Sequence, residues 1–371
     1  MEIGVSADTA ELDLHKPPAS RSSPRKRSAT LRSFTGRVPN MAQDVAMPES
    51  PSLDDVRAVL QTLALDEQLK ATVASDPRLN AVAWRVASRY VASDTLSGAL
   101  SVVAAINSRG DRATIDYMGE SCRDAAEAAV ETTAIIEVAN AVVAHNFDCS
   151  ISLDLSHIGL VVSEDVCLAN AVRIAETTAL RGLEMLISME GEDRVDSILR
   201  VHKSLCERFS HVGITVQARM RRTAEDLPQL LGLPGRIRLV KGAYIASVES
   251  AHSRGSEALQ RAYLGYAEML LRSGHLCSIA THDKALLDAL GPLAYELRRS
   301  NQGANRENYE FETLLGIGDE QLSSMRAKGH PTREYVVFGS QWWLYTCNRI
   351  AEDPTRLFQA LVDTTKSLSS T

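Results

Sequence analysis

The chain has 371 residues, 44% of them apolar, and a formal net charge of −7. That is enough apolar material for one large core, and the acidic balance gives no general attraction to nucleic acid or anionic lipid, so a small molecule is the expected partner. No apolar run approaches the roughly 20 residues of a membrane helix and no signal-peptide core opens the chain, so a cytoplasmic protein with at most peripheral membrane contact is expected.

Residues 1–50 include "HKPPASRSSPRKRSATLRSFTGRVPN", rich in Pro, Ser and Arg and without periodic apolar positions. Such a stretch is expected to be a disordered basic tail, and Arg25-Lys26-Arg27 reads as a solvated run. Residues 51–111 form a helical region. There "SLDDVRAVLQTLALDEQL" begins with a Ser cap and continues at helical apolar spacing, and a second helix is expected at about 80–92.

From residue 112 to about 365 the pattern changes to short β-rich runs separated by longer amphipathic stretches. The runs are "ATIDY", "CSISLDL", "LEMLIS", "ITVQA", "RIRLVKG", "LCSIATHD", "NYEFETL" and "REYVVFG". Eight strands alternating with helices predict an α/β fold, a (β/α)8 TIM-like barrel preceded by N-terminal helices. The cysteines at 122, 149, 167, 206, 277 and 347 form no C-x-x-C pair, so they read as reduced thiols, not a metal site or a disulfide framework.

Barrel chemistry sits at the C-terminal ends of the strands. Polar residues stand there in nearly every run: Asp116, Asp154, Ser188, Gln217, Lys241, His282, Glu310 or Glu312, and Tyr335. Lys241-Gly242 closing an apolar strand suggests a strand end that meets an anionic or polar ligand. No dinucleotide fingerprint, P-loop or metal-ligand spacing occurs. Residue types and spacing thus give a barrel with a polar pocket containing Arg238 and Lys241, and they do not give the reaction.

The segments "RLVKGAY", "IATHD", "YEFETLLGIG" and "REYVVFGSQWWLYTCNRIAEDP" resemble, in this order and spacing, the proline dehydrogenase family of flavoenzymes. Over about residues 80–360 the weaker segments "TIDYMGE", "ISLDLSHIGL", "ISMEGED" and "VQARMRR" fill in the earlier strands. The resemblance implies a distorted (β/α)8 barrel holding FAD non-covalently. It also implies hydride transfer from the carbon next to an amine nitrogen to flavin N5, with a quinone or another electron acceptor downstream. It places Gln217 and Arg238 near the isoalloxazine, Lys241, Gly242 and Ala243 at the cofactor-binding strand end, and Thr281 and His282 beside the FAD. Leu314, Tyr335 and Tyr345 match the substrate pocket.

The substrate side departs from the family pattern. A lysine that would bind the proline carboxylate is replaced by Asp154, an arginine pair by Asn348-Arg349, and an aspartate by Ser188. Two cations are lost and one anion is gained where a carboxylate would be clamped by charge-assisted hydrogen bonds. The expected substrate is therefore an amine other than free proline, with a masked carboxylate or with a second cationic group that Asp154 can pair with. The alternatives are an ordinary L-proline dehydrogenase with a rearranged clamp and a catalytically silent flavin-binding homologue.

Overall fold

A computed structural model describes residues 52–119, 122–244, 246–300, 308–356, 358 and 362. The expected basic tail and the last residues of the expected barrel domain lie outside this range. Eight strands form a closed, all-parallel barrel in sequence order. They are β1 (Arg112–Tyr117), β2 (Cys149–Leu153), β3 (Met185–Ile187), β4 (Val212–Gln217), β5 (Ile237–Val240), β6 (Cys277–Ala280), β7 (Tyr309–Leu314) and β8 (Thr332–Phe338).

Four helices lead into the barrel: α1 (Leu53–Ala64), α2 (Glu67–Ser75), α3 (Pro77–Ala87) and α4 (Leu96–Ser108). One helix then follows each strand: α5 (Ala125–Ala144), α6 (Glu164–Arg181), α7 (Val195–Cys206), α8 (Thr223–Leu230), α9 (Glu257–Ser273), α10 (Lys284–Ser300), α11 (Asp319–Ala327) and α12 (Trp342–Glu352). The helix starts follow local chemistry. Ser52 and Asp55 form a reciprocal capping box at α1, Asp124 accepts from the Ala126 and Glu127 amides at α5, and Ser256 accepts from the Leu259 amide at α9. Among the described residues no helix is long and apolar enough to cross a membrane.

Along each strand one set of alternate residues faces the helices. Ile115, Ile151, Ile187, Leu239, Ile279 and Phe311 belong to one continuous apolar core with Val103, Ile135, Ile174, Ile198 and Leu270 from the helical layer. The other set fills the barrel, and much of it is polar. Glu310, fully buried, accepts from Arg333 Nε at 2.6 Å, from Ser278 Oγ at 2.5 Å and from Arg112 Nη1 at 3.3 Å, with Arg236 Nη1 also 3.3 Å away. Glu310 thus belongs to an ion network near the strand starts, and of the two expected mouth glutamates neither the position nor the pairing of Glu310 suits a ligand site.

The last helix is tied back to the first. Trp343 Nε1 donates to Leu63 O at 3.0 Å and Arg57 Nε to Ala351 O at 2.9 Å, while Trp84 and Trp342 pack edge to face 5.6 Å apart. This places the inner face of α12 beside the strand ends.

Burial opposes the charge of Glu310, but Arg333 and Arg236 hold its carboxyl down to about 2, below its ordinary 4.5. Its contribution to stability is therefore complete above about pH 4.5 and is lost as pH falls toward 2. We predict that Glu310→Gln lowers unfolding stability in urea by about 3–5 kcal/mol near neutral pH, because two arginines lose their buried counter-ion. An unchanged denaturation midpoint would show that the network is not structural.

Candidate active site

Arg238 occupies the centre of the barrel near the strand ends and is 4% exposed. Its guanidinium is shared among five strands. Nε donates to Thr215 Oγ1 on β4 at 3.0 Å, and Nη2 donates to Ser152 on β2 at 3.1 Å and to Ser188, just past β3, at 3.4 Å. Nη1 lies 3.5 Å from Glu312 on β7, and Cζ stands 4.6 Å over the Tyr335 ring on β8. Among the described residues neither Arg238 Nη1 nor either Glu312 oxygen has a hydrogen-bond partner.

The Tyr335 hydroxyl, in turn, donates to Asp116 Oδ2 at the end of β1 and lies 3.1 Å from Ser152 Oγ. Leu314 is the register partner of Tyr335 across β7 and β8, so the apolar wall and the tyrosine lie side by side. Burial and then the neighbouring charge of Asp154 push the Asp116 carboxyl up to about 8, against the Tyr335 hydrogen bond and Arg238.

Asp154, just beyond β2, is half-buried. Its side chain caps nothing, and His157 Nε2 stands 3.8 Å away. Glu190 completes an acidic side of the mouth. It accepts from the Ser156 amide at 3.0 Å and from Arg194 at 2.5 Å, and burial followed by Asp154 raises its pKa. Asp154 first, then burial and Glu190, push the Tyr244 hydroxyl well above the ordinary phenol value.

The opposite rim is cationic. Lys241 Nζ, past the end of β5, meets Asp283 Oδ2 at 2.6 Å, and Gln260 Nε2 donates to the same oxygen at 2.8 Å. The lysine at the strand end thus has a counter-ion from its own chain, which the sequence reading did not anticipate. Exposed Arg254 has its charge disfavoured by desolvation at the rim and by Arg219, Arg57 and Arg349, with Glu352 opposing. Exposed His282 is lowered well below the usual imidazole range by desolvation and by Arg356, Arg349 and Lys241, so it is neutral at pH 7. Thr281 is buried and caps the next turn by accepting from the Asp283 amide at 3.1 Å.

Gly242 stands at φ 107°, and a Cβ there would lie 2.6 Å from Gln217 Oε1. Gln217 is itself fixed, donating to Glu190 O at 2.9 Å. The glycine is therefore demanded by the backbone and by Gln217, and Ala243 beside it is exposed. On α12, Arg349 Cζ lies 5.3 Å over the Tyr345 ring and its Nη2 pairs with Glu352 at 2.5 Å, while its buried Nε has no partner. Asn348, one residue earlier, is exposed, so the two halves of the expected arginine-pair position do not point alike.

The fold brings Asp154, Gln217, Arg238, Leu314 and Tyr335 to one end of the barrel, with Lys241, Thr281, His282, Tyr345 and Arg349 along its rim. Sequence reasoning gave no role to Ser152, Glu190, Asp283 or Tyr244, and it noted Asp116 only as a polar strand end. The signal for Asp116 was there, an acid inside an apolar β run. Asp283 acquires meaning through Lys241, 42 residues away, and Glu190 through the Ser156 amide as well as its near neighbour Arg194.

A closed (β/α)8 barrel with a buried arginine, a tyrosine–aspartate pair and a cationic rim at its C-terminal end is the architecture of a barrel enzyme acting on a small molecule. The family model described as proline dehydrogenase matches residues 99–342, and the chain belongs to the proline dehydrogenase family, whose members are flavin-dependent oxidoreductases. It is 31% identical over 270 residues to proline dehydrogenase 1 of Bacillus subtilis subsp. natto, covering 72% of this chain and 87% of that protein. To proline dehydrogenase of Deinococcus radiodurans it is 29% identical over 292 residues, with 76% and 92% covered. Among solved structures, proline utilization A from Bdellovibrio bacteriovorus superposes with a TM-score of 0.66 at 18% identity over 82% of this chain. The chain spans 36% of that longer protein, and at this identity the likeness shows the fold alone.

Gly242→Ala should lower stability by about 1–3 kcal/mol, since the substitution forces a side chain into positive φ and against Gln217. Thermal unfolding that matches the wild type would contradict this account of the strand end.

Proposed function

We propose that the chain binds FAD non-covalently and oxidises a secondary amine of the proline type whose carboxyl group is masked or absent. The cofactor reading is supported by the donor set. Arg219, Arg254 and Arg349 stand along one rim with Glu352 among them, and among the described residues Arg349 Nε and Arg238 Nη1 are buried without a hydrogen-bond partner. Excess cation of this kind fits a dianionic diphosphate and a polar ring system. Gln217, Arg238, Lys241, Gly242, Ala243, Thr281 and His282 would hold the cofactor, which supplies a hydride acceptor at flavin N5 and passes electrons on to a quinone or another acceptor. Tyr335 and Leu314 would wall the reacting carbon from water, and Tyr345 would close the pocket from α12.

The observation that carries the substrate reading is the absence of a carboxylate clamp. Arg349 is engaged by Glu352 at 2.5 Å, Asn348 is turned to solvent, and the place of a cation is taken by Asp154. A free carboxylate held here loses one or two charge-assisted hydrogen bonds at about 1.5–3 kcal/mol each, which amounts to roughly a hundredfold in affinity or more.

The test is an anaerobic titration of the purified protein with L-proline and with L-proline methyl ester, following the flavin absorbance. The expected result is a yellow protein bleached by the ester at concentrations about a hundredfold below those needed with L-proline. Equal bleaching by free L-proline would make this an ordinary proline dehydrogenase, and a protein purified without flavin would remove the cofactor assignment.

A further inference from the structure

Four buried or half-buried acids among the described residues surround Arg238 and Tyr335, and Asp116 is the one whose free oxygen is held in place by a hydrogen bond to its other oxygen. Glu190 is fixed by Arg194 and by the Ser156 amide. Glu312, 1% exposed, lies against Arg238. Asp154, half-buried, caps nothing, so no hydrogen bond from its own turn orients its side chain, and its neighbour His157 is 3.8 Å away. Asp116 has one oxygen committed to the Tyr335 hydroxyl, its Oδ1 has no partner among the described residues, and 8% of the residue remains exposed.

An amine that loses a hydride from the neighbouring carbon must first be neutral, because the nitrogen lone pair forms the new C=N bond. A secondary amine is largely an ammonium ion at neutral pH, so a group in the site must take its proton. We propose that Asp116, oriented by Tyr335, is the catalytic base that removes this proton, an inference resting on the amine-oxidising reading above. One N–H bond of the ammonium breaks, its electron pair stays on nitrogen, and the proton passes to an Asp116 oxygen. A bound flavin would supply the acceptor for the hydride that then leaves the neighbouring carbon with its electron pair, and the nitrogen lone pair would close the iminium.

The surroundings tune this acid for the task. Asp154 just beyond β2 disfavours its charge, Tyr335 on β8 and Arg238 on β5 favour it, and the charge of Asp116 in turn helps to raise the Tyr244 and Tyr345 hydroxyls. The replacement of a cation by Asp154 therefore has a second consequence. It makes Asp116 a stronger proton acceptor as well as removing a carboxylate clamp.

The experiment is stopped-flow flavin reduction by L-proline methyl ester and by L-proline across pH. It is run on wild type, Asp116→Asn and Asp154→Asn, with flavin content and the infrared band of protonated carboxyl recorded for each. In the wild type the rate should rise with pH through a limb near 8. Asp116→Asn should keep its flavin, lose the carboxyl band that titrates there, and reduce roughly 100-fold or more slowly near neutral pH, the loss narrowing as alkali deprotonates the amine. Asp154→Asn should move both the limb and the carboxyl titration to lower pH, which a merely structural role of Asp116 would not produce. Wild-type rates in Asp116→Asn, or a limb that Asp154→Asn leaves in place, would overturn the assignment while leaving the amine-oxidising reading intact. A wild type that carries flavin but is reduced by neither amine would overturn both.

Discussion

A single guanidinium organises the mouth of this barrel. Arg238 cannot lose its charge, so once buried it must be met by polar groups on every side. Thr215, Ser152 and Ser188 accept from it, Glu312 balances it, and the Tyr335 ring covers its face. That requirement explains why a barrel interior, commonly filled by branched apolar residues, is polar here. It also fixes Tyr335, and through the tyrosine hydroxyl it fixes Asp116 on the far side of the sheet closure.

The charges around this centre are unevenly distributed. Asp116 at the end of β1 stands with Asp154 and Glu190 past β2 and β3, the last paired with Arg194, whereas Lys241 past β5, paired with Asp283, and Arg349 on α12, paired with Glu352, stand with Arg356 on the other side. Acids crowded together in a poorly solvated space hold one another's protons, and cations crowded together attract an anion.

Much of the fold was legible because a parallel strand buried on both faces reads as an apolar run between amphipathic helices. The strand ends were less legible. The run "CSISLDL" leaves the sheet at Leu153, and Asp154 opens a short 3-10 turn over Leu155–Ile158, which sets the acid at the rim instead of in the ladder. Glu310 and Glu312 share a face by period two, and only packing decides that the first belongs to the lower ion network. Lys241 was read as awaiting a ligand because its counter-ion Asp283 lies 42 residues away. The Asp116–Tyr335 pair, 219 residues apart, was out of reach for the same reason.

The proposed function keeps a flavin half and gives up a carboxylate clamp, so restoring the clamp tests it most directly. The doubly substituted protein, Asp154→Lys with Asn348→Arg, should be assayed for kcat/KM with free L-proline against the wild type. Two restored charge-assisted hydrogen bonds predict a gain of about a hundredfold or more. An unchanged or lower kcat/KM, in a variant that still folds and keeps its flavin, would contradict the claim that Asp154 and Asn348 set the substrate.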